Sequence, residues 1–172
     1  CEWAGHKKMS IGKDTAKYIL FLVYRRYVPF IYARYHLPFI LNAKGLLGEG
    51  AEIGVAEGAF SELILQSWNG KVLYSVDPWL CVKDESYKDI MNVPQDVQDL
   101  RYQTTVKRLG IYGNRSRILR LESTKAAGMI PDMRLDFVYL DAQHHYSAVK
   151  EDLELWYPKV KPGGLMSGHD YI

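Results

Sequence analysis

The stretch from Ala51 to Ser61 constrains this chain most: a short apolar run, then Gly54, Ala56 and Gly58 at alternate positions, then residues suited to a helix. Small side chains at those positions keep bulk out of a strand-to-helix turn. A ligand can then lie against the backbone where the next helix presents its unpaired N–H groups. An anionic group suits that place. Tight strand–helix packing would use the same residues, so the turn alone leaves both readings open. A dinucleotide fingerprint has the form G-x-G-x-x-G, whereas here the small residues alternate and acidic Glu52 stands two positions before the first glycine.

Beyond this turn the chain alternates between strand-like and helix-like segments. Residues 61–68 read as a helix stopped by Asn69-Gly70, and residues 71–76 as a β-rich strand ending in Asp77. Asp77 lies about 20 residues past the glycines, where a doubly wound fold places a carboxylate for ribose hydroxyls; a turn cap before Pro78 is the plainer role. Residues 79–94 lack a clean period and read as a long loop or lid. Residues 96–109 read as a helix with Val97, Leu100, Val106 and Leu109 as its apolar positions, and residues 118–121 as a short strand running into Glu122, Ser123 and Thr124, with Ser123 a natural N-cap. Residues 135–140 form the next expected strand, ending in Asp141. Gln143, His144, His145 and Tyr146 follow, then a helix from Ser147 with Val149, Leu153 and Trp156 on one face. A last strand, 165–167, runs into Gly168, His169 and Asp170.

Such alternation implies an α/β fold with a parallel sheet and ligands at the carboxyl ends of the strands. It places Glu52, Asp77, Glu122, Asp141 and Asp170 along one rim although they are far apart in sequence.

Composition narrows the alternatives. A chain of 172 residues with 48% hydrophobic residues is the size of one domain with one good core. The net charge of +2 argues against nucleic acid as the main partner, and two cysteines exclude a disulfide framework or a cysteine zinc site, which fits a reducing, cytoplasmic setting. The opening segment, residues 1–47, mixes cations with aromatic blocks interrupted by Pro29 and Pro38. It reads as short helices capping the core, with weak contact to a membrane surface as the alternative, because no run is long enough to span a bilayer. The chain begins at Cys1 with no signal sequence, which reads as an incomplete amino terminus.

With these landmarks in place, residues 48–171 resemble a class I S-adenosylmethionine-dependent methyltransferase core, and specifically methyltransferase family 24. The resemblance is carried by E-x-G-x-A-x-G from Glu52 to Gly58, by Asp77-Pro78-Trp79, and by Asp141-Ala142-Gln143-His144-His145-Tyr146 leading to Pro162-Gly163-Gly164 and His169-Asp170-Tyr171. The family form of the fourth-strand motif is close to D-G-D-H-S-Y, so Asp141, His144 and Tyr146 fit while Ala142, Gln143 and His145 depart from it. The resemblance implies S-adenosylmethionine as cofactor, held by Glu52, Gly54, Ala56, Gly58, Asp77, Glu122, Ser123 and Asp141, with Glu122 and Ser123 toward the adenine. It also implies methyl transfer to an oxygen of a small hydroxylated acceptor such as a sugar or phenol. A divalent ion such as Mg²⁺ would sit on Asp141, Asp170 and His169, and His144 would be the catalytic base. The plainer reading of His144 and His145 is a helix-leading pair, one satisfied by backbone and one in solvent. The class I sheet normally continues past its fifth strand, so a chain ending at Ile172 is expected to hold an incomplete sheet. Two other functions compete: a nicotinamide-dependent oxidoreductase, against which the glycine spacing speaks, and a truncated domain without catalysis.

Overall fold

The computed structural model of the chain describes residues 33–83 and 91–169. The expected helices before residue 33, the middle of the 79–94 loop and Asp170 lie outside the described residues. A 3₁₀ turn, Ala33–His36, leads into α1, Leu37–Ala43. Pro38 suits the first helical turn, where its missing N–H leaves no bond unmade, and Leu37 and Leu41 share the face buried in the core. The sheet and its helices follow as β1 (Glu49–Ile53), α2 (Ala59–Ser67), β2 (Val72–Val76), α3 (Gln95–Leu109), β3 (Ser116–Leu119), α4 (Ser123–Met129), β4 (Leu135–Leu140), α5 (Tyr146–Trp156) and β5 (Val160–Gly168).

All five strands are parallel, in the order β3-β2-β1-β4-β5. The order reverses between β1 and its neighbour β4, and that reversal opens a crevice at the carboxyl ends of these two strands. Strand alternation assigns the faces of β1. Ala51 and Ile53 join Val76, Val138, Ala126, Ala127 and Trp156 in the core under α4 and α5. Gly50 and Glu52 therefore point to the other face, where Phe60, Ile64, Leu65 and Trp68 of the α2 segment pack with Leu37, Leu41, Leu109, Phe137 and Tyr139. Asn42 ties α1 to the end of α2, giving its amide to Ser67 O (2.7 Å) and accepting Asn69 N–H (2.8 Å).

Two helices bury faces other than those their apolar residues suggest. In α3, Val97, Leu100 and Val106 are 37%, 62% and 41% exposed, and Gln98, Thr105 and Leu109 face inward. The polar pair is buried at little cost because Gln98 Nε2 donates to Met91 O (3.0 Å) and Thr105 Oγ1 to Ala56 O (2.9 Å). In α5 only Trp156 of the expected trio is buried, and Asp152 accompanies it, while Val149 and Leu153 are exposed. The third strand starts and ends two residues earlier than the β-rich run suggested, and β5 extends back to Val160, with an irregularity in its register against β4. No helix among the described residues is long and apolar enough to cross a membrane.

The packing of β1 on β4 gives a test remote from the crevice. A Cβ on Gly50 would run into the buried Phe137 ring. Gly50→Ala should therefore cost about 1–3 kcal/mol, the usual range for overpacking, read as a lower urea midpoint. Ligand affinity of the folded protein should be unchanged.

Candidate active site

The crevice is a cavity of about 630 Å³, within the usual size range of small-molecule sites. Gly54, Val55 and Ala56 line it from the first turn, Asp77 and Pro78 from the second, Glu122, Ser123 and Thr124 from the third, and Asp141, Gln143 and His144 from the fourth, with His169 after β5.

The first turn is held by Asp77. Its Oδ2 accepts the N–H groups of Val55 (2.9 Å) and Ala56 (3.0 Å), and its Oδ1 accepts Trp79 N–H (2.7 Å). Asp77 is thus the internal clasp of the turn as well as a wall of the cavity. Three of the roughly four lone-pair directions of a carboxylate are committed to backbone, leaving room for one ligand hydroxyl rather than a bidentate grip on a diol. Ala56 sits at φ 51°, and its carbonyl accepts Trp79 Nε1–H (2.7 Å) in addition to Thr105 Oγ1–H. Trp79, which the sequence placed in a loop, is 1% exposed and packs against Tyr102 with ring centroids 5.1 Å apart. The signal that could have found it is its position directly after Asp77-Pro78, where an indole can fold back under the preceding turn.

The two glycines of the turn differ. Gly54, at φ 88°, lies on the cavity wall, and a Cβ there would overlap the Asp141 carbonyl, so its smallness lets the ends of β1 and β4 come together. Gly58, at φ 77°, caps α2, and a Cβ on it would lie 3.1 Å from Thr105 Cγ2. It faces α3 and does not line the cavity.

Glu52 does not stand on the rim. It is the penultimate residue of β1, and strand parity sends its side chain beneath the turn, where it is 1% exposed. Ser61 Oγ–H donates to it, and Ser61 Oγ, its proton so committed, accepts from Ser75 Oγ–H at 2.8 Å. Burial pushes its pKa up to about 8, against the Ser61 hydrogen bond; the Asp141 charge adds to the rise, Arg34 opposes it and Asp77 adds again.

Ser123 also departs from expectation. The N-cap position of α4 is Glu122, with no side-chain cap bond; Glu122 pairs instead with Lys125 at 2.8 Å. Ser123 Oγ donates to buried Asp152 and accepts Trp156 Nε1–H (2.8 Å), a bridge from α4 to α5. Burial raises the Asp152 pKa, the Ser123 bond lowers it and Glu151 raises it. Ser123 and Asp152 both line the cavity, so an adenine there would meet the pair rather than a free hydroxyl.

Beside the first turn, Asp141 follows β4 with its N–H on Ile53 O (2.7 Å). Its Oδ2 lies 3.3 Å from Arg34 Nη1 and its Oδ1 3.4 Å from His169 Nδ1. His144 is exposed on the same wall, its ring centroid 6.4 Å from that of His169. Arg34 escaped the sequence reading because nothing in the opening segment hinted that it would reach the fourth strand.

A parallel sheet with its crevice at the reversal of strand order, a carboxylate clasping a small-residue turn, and acidic groups along the carboxyl edge define the Rossmann-like class of domains that bind nucleoside-containing ligands. Residues 51–171 match the family model of a methyltransferase domain, methyltransferase family 24, and the chain belongs to that family. It carries a methyltransferase domain. Protein R132 of Acanthamoeba polyphaga mimivirus is 29% identical over 124 residues, covering 70% of this chain and 50% of R132. Protein y4gI of Sinorhizobium fredii is 40% identical over 55 residues, 32% of this chain and 6% of y4gI. The chain thus spans at most half the length of these two relatives. Solved structures share the fold. A Methanococcus maripaludis protein provisionally described as an S-adenosylmethionine-dependent methyltransferase aligns with TM-score 0.54 at 16% identity over 96% of this chain and 68% of its own. A Staphylococcus aureus protein provisionally described as a caffeoyl-CoA O-methyltransferase gives 0.56 at 18% over 88% and 71%. An rRNA methylase from Streptococcus thermophilus gives 0.53 at 11% over 83% and 75%.

Two outcomes follow from this geometry. Asp77→Asn replaces one accepting oxygen by an amide that cannot receive an N–H, and should cost about 1–3 kcal/mol of stability and weaken S-adenosylhomocysteine binding in calorimetry. Glu52 holds a proton when folded that the unfolded chain releases between pH 4.5 and about 8. Its contribution to stability is therefore full below pH 4.5, falls as pH rises at up to about 1.4 kcal/mol per unit, and is flat above its folded pKa. Urea unfolding from pH 5 to 8 should show this slope in the wild type and its loss in Glu52→Gln.

Proposed function

We propose that this domain transfers the methyl group of S-adenosylmethionine to an oxygen of a small hydroxylated acceptor, such as a sugar or phenol. The observation that carries this reading is that one cavity is lined both by the clasped turn of Gly54, Ala56 and Asp77 and by Asp141, His144 and His169. The described likeness to an O-methyltransferase favours oxygen as the receiving atom, while the likeness to an rRNA methylase shows how little the fold alone selects an acceptor.

The bound donor supplies a methyl group on a cationic sulfonium. The chain's work is to hold donor and acceptor in line and to take a proton. Backbone of the first turn and Asp77 position the nucleoside part, and Ser123 with Asp152 face the base. His144 receives the acceptor's hydroxyl proton at an imidazole nitrogen as the oxygen bonds to the methyl carbon and the carbon–sulfur bond breaks. Imidazole is the side chain suited to that exchange near neutral pH.

The divalent ion expected on Asp141, His169 and Asp170 fits the described residues poorly. Asp141 and His169 bring two donor atoms together, yet Arg34 already lies against the other oxygen of the carboxylate, and Asp170 is outside the described residues. Among the described residues no group of three or more His, Cys, Asp or Glu is placed to hold a metal. No step above therefore depends on an ion.

The test is binding followed by turnover. Calorimetry should show micromolar S-adenosylhomocysteine binding and no NAD binding; the reverse would make the domain an oxidoreductase. With a panel of phenols and sugars, His144→Ala should slow methyl transfer by about 100-fold, the usual loss for a positioned base, while donor affinity stays unchanged. Equal rates in the two proteins would move the base to another residue.

A further inference from the structure

The acceptor end of the cavity holds a cation that the donor site does not use. Arg34 rides on the 3₁₀ turn Ala33–His36, which α1 anchors by burying Leu37 and Leu41. Its guanidinium carbon lies 4.5 Å from the Phe60 ring centroid, within cation–π range, so the plane is held from one side by an aromatic face and from its edge by Asp141. Its Nε is buried with no hydrogen-bond partner among the described residues. A buried N–H without an acceptor is costly, and it is relieved when a ligand oxygen arrives. The guanidinium presents five donors in a planar fork, of which the 3.3 Å contact to Asp141 uses one.

Both signs of charge line the cavity: Asp77, Glu122, Glu151 and Asp152 with Arg101, which pairs with Glu57, and Arg34 beside Asp141, with His144 and His169 on the same wall. A divalent ion on Asp141 would lie within a few ångströms of the guanidinium and be repelled by it.

We propose that Arg34 is the fixed cation of the acceptor subsite, standing where a divalent ion would otherwise be needed, and that the acceptor presents an anionic oxygen to it, as a carboxylate, phosphate or phenolate. This rests on reading the cavity as a methyl-transfer site. Asp141 is then the positioning residue that aims the fork, and an acidic hydroxyl next to the guanidinium is deprotonated more readily because its oxyanion is stabilised.

The test uses the whole chain, with and without S-adenosylhomocysteine, titrated with Mn²⁺ by water-proton relaxation and with inorganic phosphate by calorimetry. Wild type should show no Mn²⁺ binding up to about 1 mM and should bind phosphate; Arg34→Met should weaken phosphate by about 10-fold or more and Arg34→Lys by less, as the fork is lost before the charge. Circular dichroism checks the fold of each variant. Mn²⁺ binding that Asp141→Asn abolishes, absence of phosphate binding in the wild type, or equal phosphate affinity in Arg34→Met would each overturn the proposal. Failure of the wild type to bind S-adenosylhomocysteine would instead count against the methyl-transfer reading, whatever the ions do.

Discussion

Three backbone N–H groups converge on the carboxylate of Asp77, and the shape of the crevice depends on that convergence. Two belong to the turn after β1 and one to the turn after β2, so a single side chain joins the two loops that flank the start of the crevice. Charge-assisted hydrogen bonds of this kind are stronger than neutral ones and have defined geometry. They hold Ala56 in a left-handed conformation that an alanine rarely adopts, with the Ala56 carbonyl turned inward to Trp79 and Thr105. The shape of the turn is thereby set by bonds within the chain.

Electrostatics beneath and beyond this turn follow from the same compact arrangement. Gly54 lets β1 and β4 close up, and that brings Asp141 near the buried Glu52. Burial pushes Glu52 toward its neutral form, where Ser61 donates to it, and Asp141 lies beside Arg34 and His169. The consequence is a cavity wall on which Asp141 stands with a cation and an imidazole beside it.

Much of the architecture is legible in the residues. Alternation of β-rich and helical segments gave five parallel strands; the run 135–140 coincides with β4, and polar residues at strand ends converge as expected for Asp77, Glu122 and Asp141. Helix faces were less legible. In α3 the buried positions are Gln98 and Thr105, because specific carbonyls, those of Met91 and Ala56, happen to lie where those side chains arrive. Hydrophobic periodicity cannot report a partner that comes from elsewhere in the chain.

The sequence by itself determined the class of fold, the place of the ligand turn and the family, since these rest on local spacing: small residues at 54, 56 and 58, an acidic residue after the second strand, and the Asp141 to Tyr146 motif. Only the tertiary structure decided what each polar group does. Strand parity took Glu52 off the rim, packing of α4 against α5 turned Ser123 from a cap into a bridge, and the docking of α1 carried Arg34 to Asp141 across 107 residues of sequence. The last two are long-range contacts whose energy depends on two partners and the geometry between them, and spacing along one chain encodes neither.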